Sequence, residues 1–294
     1  MTPINNVPAF VEQDAQRLTD DLTAQGFEVT RGYFKLFSDE DCVLSYQTMK
    51  SCYANNPAAP YILFAVPPWP EEFLDPATKL ALGAWVEGYN GVFRLDPREA
   101  IVILGLMPPP AAYFGLQTYL FSREGTIDPN NPTYKNIAQA YPALVSTFFA
   151  VVPQNTSRIQ LLASLSNSNN DIVVQQQSGA AFDQERFFVI TPDQGMESAV
   201  RASFTRIGMD QANVFTEQIP AVGDNSTVRT GLDAHADDLI WVMRYAMPLD
   251  GGSAGTPSDN WRHDLPMVVL RVRDTRPARP AQPYGPVVLE ARAT

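Results

Sequence analysis

The amino-acid sequence predicts an α+β fold with mostly antiparallel, β-sandwich-like sheets, a few packing helices and one βαβ-like unit near residues 186–219. Three observations lead to this prediction. Hydrophobic residues make up 45% of the 294 positions and charged residues only 18%, so the chain can bury a substantial core. Short apolar or alternating segments recur between turns, and the 25 prolines keep most of these segments short. A few other segments repeat their apolar residues with the 3.6-residue period of a helix.

The first half of the chain is predicted to begin with a helix and to continue mainly in strands. Val11, Leu18 and Leu22 recur with the period of one amphipathic helix. Pro8 suits the first turn of that helix, and Gly26 suits its end. Farther along, β-branched and aromatic residues favour strands, while clustered prolines favour irregular loops. The predictions are a helix over 8–25, extended chain over 27–37, an irregular stretch over 38–82, and strands over 90–95, 100–107 and 112–122.

The strand predicted over 112–122 divides its side chains between two faces, because successive residues of a strand point in opposite directions. One face is predicted to carry Tyr113, Gly115, Gln117 and Tyr119. The other is predicted to carry Phe114, Leu116, Thr118 and Leu120.

A short passage of this β region has a recognisable pattern. A "DP-x-E-A" start and an apolar run ending in glycine are followed by proline and by "Y-x-x-x-Q-x-Y". The residues that carry the pattern are Asp96, Pro97, Glu99, Ala100, Gly105, Pro109, Tyr113, Gln117 and Tyr119. Residues 95–121 thereby resemble a passage of bacterial β-sandwich proteins of unknown function. The resemblance covers about a tenth of the chain; it implies a packed hairpin and no particular activity.

The second half of the chain mixes helices and strands. Asp193 is a suitable N-cap for a helix, with Glu197 near the position of a capping partner. The right-handed crossover rule makes the strands on either side of that helix parallel if they share a sheet. The predictions are helices over 137–150, 195–208 and 233–246, strands over 158–166, 171–179, 186–192, 213–220, 267–274 and 287–292, and a flexible loop over 249–260.

This organisation suggests an N-terminal helix with a β-rich region over 1–150 and an α/β region over 151–294. The alternative is a single domain in which both regions share one core.

Charge and composition argue against nucleic acid and membrane insertion, and the cysteines indicate a cellular compartment. The net charge of −11 disfavours nucleic acid, whose phosphates need a basic surface. No run of apolar residues reaches the length of a membrane span, so no membrane insertion is expected.

Cys42 and Cys52, ten residues apart in a polar stretch, are predicted to form a disulfide, with two unrelated buried thiols as the alternative. The disulfide favours a secreted or periplasmic protein, and a cytoplasmic location is the alternative.

Histidine-based chemistry is confined to two residues, because His235 and His263 are the only histidines. On the helix predicted over 233–246, His235 and Asp238 share one face. They form a candidate divalent-metal site, or a catalytic acid–base pair to which His263 is added. The plainer interpretation is an acidic cluster at the start of a helix, with His235 exposed. We therefore expect no cofactor or a divalent metal, and a small-molecule or polymeric substrate.

Other chemistries have weaker patterns. The chain contains no glycine-rich phosphate-binding motif and no Gly-x-Ser-x-Gly nucleophile elbow. Cys52 is a candidate nucleophile only if the disulfide does not form. Aromatic residues that can line a ligand-binding cleft are Trp69, Trp85, Tyr89, Tyr113 and Tyr119, although core packing accounts for most of them equally well. Three functions stay open: a hydrolase with an Asp/His site, a ligand- or carbohydrate-binding module, and a non-catalytic structural or interaction protein.

Overall fold

The computed structural model describes residues 5–53, 55–142, 145, 150–223, 227–277 and 279–286. Within these residues, twelve strands and six helices form an α+β fold with two mostly antiparallel sheets. The strands are β1 (Glu28–Arg31), β2 (Tyr33–Leu36), β3 (Ile62–Ala65), β4 (Glu99–Leu106), β5 (Ala111–Glu124), β6 (Val151–Val152), β7 (Asn155–Ser164), β8 (Asn169–Asn170), β9 (Glu185–Thr191), β10 (Val214–Gln218), β11 (Asp238–Pro248) and β12 (Met267–Arg273). The helices are α1 (Ala9–Ala24), α2 (Asp39–Met49), α3 (Pro132–Ala140), α4 (Asp171–Ser178), α5 (Gln194–Arg206) and α6 (Pro257–Asp264).

The two sheets differ in size and in strand order. The five-stranded sheet has the order β1-β12-β4-β9-β10, and β9 and β10 are its one parallel pair in the described chain. The seven-stranded sheet has the order β2-β3-β11-β5-β7-β6, with β8 pairing beside β7 on the same edge of β5. Each sheet takes strands from both 1–150 and 151–294, so the two regions share both sheets.

The layers of the fold follow from where the apolar side chains lie. Helices α1 and α5 cover the outer face of the five-stranded sheet, where Leu18 and Phe204 are buried. The inner faces of the sheets enclose the largest core, which includes Ile103 and Trp241. Helix α2 and the loop after β3 cover part of the outer face of the seven-stranded sheet. The rest of that face carries the cavities described below.

The chain passes from one sheet to the other at Gly32, between β1 and β2. A Cβ atom at this position would lie 2.1 Å from the carbonyl oxygen of Ala65 and 2.9 Å from the Val269 side chain. Only glycine fits such a close approach without a backbone shift.

Several predicted elements are confirmed. Helix α1 lies within 8–25, and β4 and β5 lie on either side of the three prolines. The βαβ-like unit is also confirmed, because α5 connects the parallel strands β9 and β10. Asp193 caps this helix: its carboxylate accepts a hydrogen bond from Met196 N at 2.7 Å. In β5, the face predicted to carry Phe114, Leu116, Thr118 and Leu120 is buried, whereas Gln117 and Tyr119 on the other face are only half-buried.

Five element predictions are wrong in whole or in part. The loop predicted over 249–260 contains the start of α6, which Thr256 caps through Asp259 N. Residues 171–179 form α4 instead of a strand, because Asn170 caps the helix through Val173 N and Gly179 ends it in a left-handed conformation. Residues 233–246 lie in a turn and in β11 instead of a helix. The irregular stretch over 38–82 contains α2, which Ser38 and Asp41 start with a capping box, and also β3. Residues 90–95 make only isolated bridges.

Two predictions fall wholly or partly outside the described residues. The last strand, over 287–292, is one of them. The helix over 137–150 is the other: α3 ends at Ala140, and most of the following residues are not described. No helix within the described ranges is long and apolar enough to cross a lipid bilayer.

The predicted disulfide is confirmed. Cys42, on α2, is bonded to Cys52, in the loop that leads towards β3, and their Cα atoms are 5.1 Å apart. The bond thereby fixes the first turn of α2 to the loop that carries Tyr53, a residue in the lining of the cleft described below.

Loss of this disulfide is expected to lower the free energy of unfolding by about 2–3 kcal/mol, because a loop of ten residues is no longer closed in the unfolded chain. Urea unfolding with and without a reducing agent measures this difference. A Cys42→Ser/Cys52→Ser double variant is the control, since its midpoint must not respond to the reductant. An unchanged midpoint for the reduced native protein would contradict the expectation.

Candidate functional site

The structure separates His235 from Asp238. His235 lies in the turn before β11 with 78% of its side chain exposed, and its Nδ1 is 3.0 Å from Oε2 of Glu124. The carboxylate of Asp238 is buried and accepts from Arg94 Nε at 2.9 Å, with Arg158 Nη2 at 3.1 Å. Asp238 is therefore occupied by two arginines and is not the partner of the imidazole.

His263 lies far from His235. It is on α6, with 73% of its side chain exposed, and its Nε2 is 3.5 Å from Oδ1 of Asp259. His235 precedes β11 and α6 follows it, so the two histidines lie beyond opposite ends of a strand that spans roughly 35 Å. No group of three or more His, Cys, Asp or Glu residues in the described chain is arranged to hold a metal ion.

A buried ionic network holds one end of the sandwich together. The guanidinium of Arg271 donates to Glu72 at 2.6 Å and to Glu99, and all three side chains are almost fully buried. Glu72 also accepts from the backbone N of Arg94 at 2.8 Å. Through the pair of Arg94 with Asp238 on β11, the network joins the two sheets and the loop after β3, so we assign it a structural role.

The aromatic residues singled out in the sequence have different positions. Trp69 is 5% exposed and packs under the guanidinium groups of Arg271 and Arg273. Trp85 contacts Lys35 and Tyr33, and Tyr89 also packs against Tyr33. These residues are packing groups. Tyr113 and Tyr119, in contrast, line a cavity on the outer face of the seven-stranded sheet.

This tyrosine cleft has a volume of about 310 Å³, which is the size of a small-ligand site. Strand alternation supplies most of its floor: the outward residues of β5 lie beside those of β11, with Gln117 opposite Val242 and Gly115 opposite Arg244. The cleft is lined by Tyr61, Tyr113, Gly115, Leu116, Gln117, Tyr119, Ser168, Val242 and Arg244.

Gly115 leaves room for the ring of Tyr113. A Cβ atom at Gly115 would lie 2.0 Å from the hydroxyl oxygen of Tyr113, so the ring lies across the glycine and along the strand. Burial raises the pKa of both Tyr113 and Tyr119. Both hydroxyls therefore stay protonated at neutral pH and can donate hydrogen bonds.

Arg244 is the principal charged group of the cleft. It is half-buried, and its guanidinium carbon is 4.4 Å from the centre of the Tyr61 ring. Tyr61 is itself fixed: its hydroxyl donates to the carbonyl of Tyr53 at 2.9 Å, and its backbone N donates to Asn55 Oδ1 at 3.0 Å. Every other arginine side chain among the described residues donates a hydrogen bond to a carboxylate, carbonyl or hydroxyl oxygen. Arg244 is the exception, because its guanidinium has no such oxygen acceptor among these residues.

A second, smaller cavity continues the tyrosine cleft. Its volume is about 90 Å³, and it shares Tyr61, Tyr119 and Val242 with the larger one. Its complete lining is Tyr53, Tyr61, Leu63, Leu82, Tyr119, Leu162, Ile240 and Val242. The combined cleft therefore has a cationic, polar end and an apolar end.

A buried carboxylate lies behind the cleft, on the inner side of the sheet. Glu217, on β10, is 1% exposed and accepts hydrogen bonds from Thr118 N at 2.7 Å, Thr118 Oγ1 at 3.0 Å and Ser166 Oγ at 2.7 Å. Burial raises its pKa to about 7. The carboxylate accepts from the N–H of Thr118, which lies on the edge of β5 between the part paired with β7 and the part paired with β8. From the cleft side, the side-chain amide of Gln117 donates to the carbonyl oxygen of Ser166 at 2.5 Å.

Sequence reasoning missed Tyr61 and Arg244. Tyr61 lies in a stretch that was predicted to be irregular, and Arg244 lies in the segment predicted as a helix. The available signal was the period-two alternation after Ile240, which places Val242 and Arg244 on the same face of a strand.

Comparisons with protein-family models, with curated proteins and with solved structures found no match to this chain. The resemblance of residues 95–121 to bacterial β-sandwich proteins stays an expectation. The function is therefore inferred from the geometry of the site.

Proposed function

We propose that the protein is a binding module that holds a small organic anion in the tyrosine cleft, with Arg244 contacting the anionic group. The observation that carries the proposal is the guanidinium of Arg244, which has no oxygen acceptor in the described chain and lies half-buried in a cavity of about 310 Å³. A guanidinium presents five N–H donors in a planar fork that matches a carboxylate or a phosphate. Elsewhere in the described chain, arginines use these donors within the protein.

The surroundings of Arg244 support a ligand-binding role. Stacking on Tyr61, which is held by its own hydrogen bonds, orients the guanidinium before a ligand arrives. Gln117 and Ser168 add polar groups beside it, and Tyr113 and Tyr119 add ring faces. A protein with a net charge of −11 repels anions at long range, but a contact at hydrogen-bond distance lies well inside the screening length of about 8 Å at physiological salt.

The hydrolase interpretation has less support from the geometry. Its candidate residues His235, Asp238 and His263 lie apart: both imidazoles are exposed, and Asp238 is paired with arginines. The cleft has a binding group but no described nucleophile–base pair among its lining residues. We also propose an extracytoplasmic location, because the disulfide is of the kind that persists in an oxidising compartment.

Isothermal titration with benzoate tests the proposal. We expect benzoate to bind the native protein and Arg244→Gln to weaken the affinity ten- to a hundredfold, the usual effect of losing a charged hydrogen-bonded contact. Arg229→Gln is the matched control, because it removes the same charge at an exposed arginine that contacts Glu124 at the far end of β5. Equal affinities for the two variants, or no binding by the native protein, would overturn the proposal.

A further inference from the structure

We infer that the bound anion carries an unbranched apolar tail that lies in the second cavity, so that the ligand is a short-chain aliphatic carboxylate instead of a sugar acid. This inference rests on the proposed function, because Arg244 must hold the carboxylate for the tail to reach the apolar end. The two cavities are parts of one cleft, since Tyr61, Tyr119 and Val242 line both of them.

The direction of the cleft follows from the register of the sheet. On β11, the outward residues proceed from Arg244 to Val242 to Ile240, and they lie opposite Gly115, Gln117 and Tyr119 on β5. Four residues of a strand span roughly 13 Å. A ligand with its carboxylate at Arg244 can therefore extend along β11 until its other end contacts Ile240.

The lining of the second cavity determines the chemistry of that end. Leu63, Leu82, Leu162, Ile240 and Val242 offer only carbon atoms from their side chains. Tyr61 has already committed its hydroxyl to the carbonyl of Tyr53. The buried hydroxyl of Tyr53 and the hydroxyl of Tyr119 are the remaining polar side-chain groups of this lining. The hydroxyl groups of a sugar would lose hydrogen bonds to water here and gain few in return, which is unfavourable. Methylene groups carry no such cost and gain from leaving water.

The small size of the cavity limits the tail. Its volume of about 90 Å³ is below the roughly 150 Å³ of an apolar cavity that accepts benzene. A narrow aliphatic chain is a better match for this space than a ring. The 37% exposure of Leu162 keeps this end of the cleft open towards solvent, so a longer chain can protrude.

The first experiment is a calorimetric titration of the native protein with acetate, butanoate, hexanoate and octanoate, with glucuronate and 1-hexanol as comparators. We expect the affinity to rise about three- to fourfold with each added methylene until the apolar end is filled. We expect glucuronate to bind more weakly than hexanoate. Hexanol, which lacks the charge, should lose most of the affinity of hexanoate.

A pair of variants locates the tail. Leu162→Asn places a polar group in the second cavity at a residue with a φ of 43°, a conformation that asparagine tolerates. Leu161→Asn is the matched control, because Leu161 is equally exposed at 37% and does not line the cavity. We expect Leu162→Asn to lower the affinity for octanoate, the longest acid of the series, about tenfold and to leave acetate unchanged, and Leu161→Asn to change neither.

The outcomes separate the two proposals. If carboxylates bind through Arg244 with an affinity that does not depend on chain length, the proposed function stands and the inference about the tail is overturned. Tighter binding of glucuronate than of hexanoate, or equal effects of the two leucine variants, would overturn it as well. If none of the anions binds, the proposed function fails and the inference fails with it.

Discussion

Replacing Arg271 by leucine is expected to lower the free energy of unfolding by about 3–5 kcal/mol, the cost of removing one partner from a buried ion pair. The guanidinium of Arg271 contacts Glu72 and Glu99, and it donates to the carbonyl oxygens of Pro67 at 3.1 Å and Arg94 at 2.5 Å. Leucine fills much of the space but leaves two carboxylates and two carbonyl oxygens without this donor in the interior.

Urea unfolding measures the effect, with Arg206→Leu as the control. Arg206 is 44% exposed and pairs with Asp21 at 2.9 Å on the surface, where the loss is expected to stay below about 1 kcal/mol. If Arg271→Leu unfolds during purification, an Arg271→Met/Glu72→Gln/Glu99→Gln variant provides a second measurement. Because this variant removes the buried charges together, we expect it to be more stable than the single variant. A loss for Arg271→Leu no larger than that for Arg206→Leu would contradict the structural role of the network.

Glu217 is expected to make the protein less stable as the pH rises from about 4.5 to 7. Its pKa in the folded protein is about 7, above the ordinary value of 4.5, because burial disfavours the charged form. The folded state therefore binds the proton more tightly than the unfolded state does. This contribution is fully present below pH 4.5 and is lost as the pH rises through 7, with a total of about 3 kcal/mol.

Unfolding free energies measured across this pH range test the expectation. Burial also raises the pKa of Glu99 and of Glu185 to about 7, so the native protein shows a combined slope. The difference between the native protein and Glu217→Gln isolates Glu217, and Glu87→Gln at an exposed position is the control. If Glu217→Gln has the same slope as the native protein, Glu217 is not the buried acid that the structure indicates.

The parts of the fold that could be predicted are those in which local pattern and tertiary role agree. Helix α1 has one apolar face and buries it, and β4 is an apolar run buried on both sides. The βαβ-like unit combined a capping residue, a helical period and flanking strands. The wrong predictions concern segments in which the local pattern and the tertiary role disagree. The β-branched residues of 171–179 favour a strand, but the caps at Asn170 and Gly179 decide the conformation.

The candidate site could be predicted only in part. Tyr113 and Tyr119 were correctly placed on one face of a strand, because alternation within one segment is a local property. Their relation to Tyr61 and Arg244 depends on which strands become neighbours, and the sequence contains no local signal for that. The acidic residues before β11 favoured a helix start, whereas Asp237 and Asp238 are in fact partners of Arg123 and Arg94.

The position of β11 and β12 has a consequence for the order in which the protein can fold as it is synthesised. Each of these late strands lies between two early ones: β11 separates β3 from β5, and β12 separates β1 from β4. The edges of β3 and β5 that β11 covers therefore stay unpaired until residue 248 has been made, and the edges of β1 and β4 that β12 covers stay unpaired until residue 273. Unpaired strand edges are templates for pairing with other chains, so the protein is exposed to aggregation during this interval of its synthesis.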